Sequence, residues 1–134
     1  MGQQASILVG VQNPDMVAKL SKINARIMGV DFDPFYGAPT VVVVFADGNR
    51  MTYIEDGSLV MGNMMTAAAS LGIDSCWVHR AKETFETEEG KELMKKWGIP
   101  ENFAGVGALA LGYADCELPE PKERREGRII YADK

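Results

Sequence analysis

The chain has 134 residues, 46% of them apolar, and a net charge of −5 at pH 7, with a sequence pI near 4.9. That length and apolar share suit a single domain with its own core and exclude disorder as the main state. The acidic balance argues against general nucleic-acid or anionic-membrane binding, and Cys76, Cys116 and the lone His79 have no metal-ligand spacing. With no leader pattern and no apolar stretch of bilayer length, the expectation is a reduced, cytoplasmic protein without membrane or nucleic-acid partners.

In chain order, Ile7 to Val11 (ILVGV) predicts a short strand that starts only six residues after Met1. Asn13-Pro14-Asp15 then supplies an N-cap, a proline at the first helical position and an early acid. Met16, Leu20, Ile23 and Ile27 follow at helical spacing, and Gly29 ends the helix. In the loop VDFDPFYGAP, Pro34, Gly37 and Pro39 forbid regular structure, so Phe35 and Tyr36 are either packed or used for binding. The β-branched run Thr40 to Ala46 lacks alternation and suits a central strand covered on both faces; Asp47-Gly48-Asn49 turns the chain.

From about Glu55 to Leu71 a helix is apolar nearly all the way round, which predicts burial either by a second subunit or as the core helix of a monomer. Ser75 to Val78 reads as a short strand. Thr87 with Glu88 and Glu89 opens another helix, closed by Trp97-Gly98-Ile99-Pro100. Phe103 to Tyr113 is the last long strand, and Gly105, Gly107 and Gly112 allow a ligand or a helix to lie against it. Past Ala114 the chain is rich in proline and charge, and Arg128-Ile129-Ile130-Tyr131 is a candidate edge strand.

Side chains with obvious chemistry are few. His79 reads as a structural or surface residue, and Ser75 lacks the flanking glycines of a nucleophile elbow. Cys76 reads as buried and inert. Lys122, Arg124, Arg125 and Arg128 form either a phosphate clamp or, with Glu120, Glu123 and Glu126 interleaved, a solvated tail.

The ordered set FYGAP, NMMTAAASLG, LGIDSCWVH, KKWGIPENF and ALGYA resembles the FMN-dependent nitroreductase family, and Met1-Gly2-Gln3-Gln4 resembles that family's PSAMNxQ segment. The resemblance implies an α+β fold with a mixed, mostly antiparallel sheet flanked by helices, in an intertwined homodimer with FMN at the subunit interface. Residues 1–134 form one such domain, N-terminally truncated relative to the family. By the same resemblance Gln4, Gly72, Ile73, Asp74 and Ser75 contact the flavin, and Lys122, Arg124 and Arg125 hold its phosphate, with Arg124 foremost. The implied activity is ping-pong: NAD(P)H reduces FMN, and a nitroaromatic or quinone-like small-molecule acceptor then takes the electrons. No protein side chain need act as a catalytic acid.

The chain departs from the pattern in three places. The Arg-rich segment RRSxRxF does not occur, Gly2 stands where an asparagine is usual, and Asp74 where glycine is common. Three readings are therefore open: a shortened FMN oxidoreductase, a noncatalytic dimer that binds a nucleotide-like ligand or none, and a piece of a longer enzyme.

Overall fold

The computed structural model describes residues 4–132. Met1, Gly2 and Gln3, part of the stretch that resembles PSAMNxQ, lie outside the described residues. Eight elements follow in order: β1 (Ser6–Val11), α1 (Pro14–Met28), β2 (Thr40–Asp47), α2 (Tyr53–Ser70), β3 (Asp74–Val78), α3 (Ala81–Glu86), α4 (Glu88–Lys96) and β4 (Phe103–Gly112). The strands form one sheet in the order β1-β2-β4-β3, and every pair is antiparallel. The α+β expectation holds, with no parallel pair among the described residues.

Local chemistry accounts for most boundaries. The Asn13 side chain accepts the Met16 amide at 3.0 Å, and Gly29, at φ 69°, closes α1. Thr87 accepts the Gly90 amide at 3.0 Å to cap α4. Helix α3, six residues long, was not expected; its apolar pair Ala81 and Phe85 is too short a signal for helical periodicity.

The β-branched strand β2 lies inside the sheet and is buried on both faces. Val41, Val43 and Phe45 face a large core with Leu20 and Ile23 of α1, Phe85 of α3 and Leu93 of α4. Val44 faces a thinner one with Met61 of α2 and Leu109 of β4. Gly105 of β4 lets α3 settle directly on the sheet, since a Cβ there would lie 2.6 Å from the Ala81 carbonyl oxygen. A helix, then, occupies that part of the glycine-rich strand.

The structure overturns two expectations: α2 as the enclosed core helix of a monomer, and an edge strand at Arg128–Tyr131. Within this chain α2 buries only Gly57, Met61 and Ala68, while Leu59 is 69% exposed and Gly62, Thr66 and Ala69 are exposed too. One sheet face can cover only one side of a cylinder, so a helix apolar all round keeps its far side in solvent. At the C-terminal end, Arg128–Tyr131 forms no strand, and every residue from Tyr113 to Ala132 is exposed.

Candidate functional site

A cleft of about 650 Å³ opens where the FYGAP loop, the start of β3 and the end of β4 converge. The loop owes its shape to Asp33. One carboxylate oxygen accepts the Ser21 hydroxyl at 2.6 Å and the Phe35 amide at 2.9 Å; the other accepts the Gly37 amide at 2.8 Å. Partial desolvation favours the neutral acid, but those three donors outweigh it and hold the Asp33 carboxyl below its ordinary value. The loop's two aromatics divide: Phe35 is buried in the core, whereas Tyr36, at φ 56°, is 70% exposed beside the cleft.

On the opposite wall, Asp74 and Cys76 share one face of β3 because strand residues alternate. Asp74 accepts the Ala114 amide at 2.8 Å and so fastens the chain as it leaves β4. Its carboxylate is a turn anchor in this structure. Cys76, on the edge strand β3, is exposed and free, contrary to the expectation of burial. Cys116 is also free, exposed and in the cleft wall.

The candidate residues do not all meet. Gly72 has φ 71°, and the amides of Gly72 and Ile73 donate to the carbonyls of Ala69 and Ala68 at 3.1 and 2.9 Å. This closes α2 in a Schellman arrangement and uses both N–H groups. Asp74 and Ser75 pair in the sheet with Gly112 and Leu111 and line the cleft. Lys122, Arg124 and Arg125 are exposed on the tail, outside the cleft wall. Gln4, exposed at φ 44°, precedes β1 at the other edge of the sheet.

That strand order sets a distance. Ser6 lies level with Ala46 and Ala104, whereas Asp74 lies level with Gly112. Eight residues along β4 and three strand spacings across put Ser6 and Asp74 about 30 Å apart, with Gln4 two residues before Ser6. No mononucleotide bridges that span within one chain.

Sequence reasoning had flagged FYGAP and ALGYA but missed the cleft they form, including Tyr113, Cys116 and the Ala114 anchor. The signal was the cluster Asp74, Asp115, Cys116 beyond two strand ends, legible only once β3 and β4 are known to pair. A larger cavity, about 910 Å³, lies between α3, α4 and the start of β4 and contains none of the candidate residues. No cluster of His, Cys, Asp and Glu suited to a metal occurs among the described residues. Nor is any helix among them long and apolar enough to cross a membrane.

Residues 5–113 match the Nitroreductase family. The chain belongs to the nitroreductase family. This family member is 37% identical over 79 residues to a Staphylococcus aureus (strain USA300) protein named Putative NAD(P)H nitroreductase, covering 58% of this chain and 31% of that one. It is 35% identical over 83 residues to Putative NAD(P)H nitroreductase YfkO of Bacillus subtilis, covering 60% and 33%. The chain thus spans about a third of the length of these curated relatives. A crystal structure of a Bacteroides fragilis nitroreductase with bound FMN superposes with a TM-score of 0.86 at 28% identity, over 98% of this chain and 78% of that one. The family match runs from Ala5 to Tyr113, so Gln4 and the three tail cations lie outside it.

Proposed function

We propose that this nitroreductase-family chain works as a homodimeric, FMN-dependent NAD(P)H oxidoreductase, passing electrons in ping-pong order to nitroaromatic or quinone-like acceptors. The observation that carries the reading is the superposition on an FMN-bound nitroreductase over 98% of the chain.

The donor chemistry suits FMN. Lys122, Arg124 and Arg125 make no hydrogen bond or ion pair among the described residues. Three unpartnered cations within four positions suit a phosphate dianion, Arg124 and Arg125 by bidentate bonds. The exposed Tyr36 ring and the ends of β3 and β4, with Asp74 and Ser75, wall a cleft that suits a flat ring. Gly72 and Ile73 act there through shape and through fixing the start of β3, their amides being engaged in the helix cap. When bound, FMN supplies the hydride chemistry; the chain positions it and leaves one face open to substrates.

The separation of Gln4 from Asp74 calls for a second copy, so that Gln4 of one chain meets the cleft of the other. The exposed far side of α2 offers the contact, since small residues there permit close helix approach. A noncatalytic dimer that binds a nucleotide-like ligand or none is the second reading, favoured by the Gly72 and Ile73 amides already engaged in the helix cap.

The visible spectrum of the purified protein decides first. Protein that takes up FMN and turns yellow agrees with both readings, and protein that stays colourless in excess FMN sinks the enzyme and leaves the noncatalytic dimer. Oxidation of NADH or NADPH by the yellow form then selects the enzyme, and its absence with a range of nitroaromatics and quinones selects the binder.

A further inference from the structure

The chain's two cysteines, Cys76 and Cys116, both free and exposed, line the same cleft. A single anchor bounds their separation. Cys76 stands two residues beyond Asp74 on the same strand face, about 7 Å along β3. Asp74 holds the Ala114 amide at 2.8 Å, and Cys116 is two residues further on, a reach of at most about 7 Å. Past that anchor the tail is exposed throughout, so no packed side chain opposes rotation of Cys116 toward β3. A disulfide requires Cα atoms roughly 4.4–6.8 Å apart, within what this leash allows.

We infer that Cys76 and Cys116 form a reversible intrachain disulfide, a redox site whose oxidant is a small-molecule disulfide such as glutathione disulfide. The thiolate of one cysteine attacks a glutathione sulfur, forming a mixed disulfide and expelling one glutathione thiol. The second cysteine's thiolate then attacks the protein sulfur of that mixed disulfide and expels the other glutathione. Two protein thiols are oxidised, one glutathione disulfide is reduced to two glutathione molecules, and the two thiol protons pass to the departing thiolates. The exposed setting suits a labile, exchangeable bond more than a permanent staple.

The bond ties the tail to β3 just upstream of Lys122, Arg124 and Arg125. Its effect on cofactor retention rests on the FMN reading above; its formation does not. Pre-ordering the tail lowers the entropy lost when the cations close on a phosphate, so the oxidised protein is expected to release FMN roughly 2- to 10-fold more slowly.

The test treats purified protein with glutathione disulfide, traps remaining thiols by acid quench and alkylation, and maps the products by mass spectrometry after non-reducing digestion. The expected product is one peptide pair joined through Cys76 and Cys116, reversed by dithiothreitol. The variant Cys116→Ser should instead stop at a stable glutathione adduct on Cys76. Wild-type protein that accumulates separate adducts on both cysteines, or links chain to chain without an intrachain bond, overturns the inference. Because the mapping reads covalent bonds, it stands whether or not FMN binds; comparing FMN release from oxidised and reduced protein then tests the consequence alone.

Discussion

Arg80 is one of three non-glycine residues at positive φ among the described residues. It sits at φ 75° between β3 and α3, where an L side chain crowds its own backbone, and its guanidinium donates to Glu83 at 2.8 Å. That hydrogen bond holds the Glu83 carboxyl below its ordinary value, but exposed pairs add little to stability. Replacing Arg80 with Gly should therefore stabilise the fold by about 1 kcal/mol, a rise of several degrees in melting temperature; an unchanged or lower value would remove the strain argument. Asp33 gives a pH prediction. A carboxyl whose folded pKa is depressed contributes stability above its unfolded value, about 3.9, and loses it as pH falls through the folded pKa. The stability gap between wild type and Asp33→Asn should be full at neutral pH and narrow below pH of about 4; a gap constant down to acid unfolding would contradict it. At Arg124, removal of a charge-assisted phosphate contact worth about 1.5–3 kcal/mol predicts FMN affinity about 10- to 100-fold weaker in Arg124→Ala. Equal FMN titrations for the two proteins would return the tail to solvent.

Helix α2 is where the dimer is tested. Leu59 is 69% exposed in the single chain, so Leu59→Glu costs a lone subunit little but places a charge in the helix contact proposed between two. The variant should sediment as a monomer with unchanged far-ultraviolet circular dichroism, while wild type sediments as a dimer. A monomeric wild type defeats the proposal outright. The same helix shows what sequence could and could not tell. Its length and apolarity were readable, as were the Asn13 cap of α1, the Thr87 cap of α4 and the doubly buried β2, because each rests on neighbours in sequence. Which side of α2 meets the sheet was not readable, because Gly57 and Met61 were chosen by Val106 and Gly107 on a strand far along the chain. Cys76 was misjudged for a related reason: which residues of β3 are covered depends on tertiary packing, with Val78 buried and Cys76 exposed on the same strand face.

For the whole molecule, two halves of the candidate site occupy opposite corners of one sheet. If FMN bridges two copies as proposed, cofactor binding and self-association are linked: diluting the FMN-loaded protein below its dimer dissociation constant should release flavin along with the subunits. Flavin fluorescence and sedimentation should change over the same concentration range, and flavin kept by isolated subunits would refute a shared site. This part of the site was legible only as a set of matching segments. FYGAP, GIDS and ALGYA stand far apart in sequence and converge through strand pairing, while the cations of the tail are placed by no regular element at all.

Strand β2 is hydrogen-bonded along both edges, and its Val41, Val43, Val44 and Phe45 are at most 1% exposed. Its amides should be the last in the chain to exchange with deuterated water, opening only when the whole fold opens. The cleft, the α2 face and the tail lie outside that slow kernel. On the proposed function, flavin and a second copy would therefore come and go at a free-energy cost below that of unfolding, while the valine run keeps the fold closed.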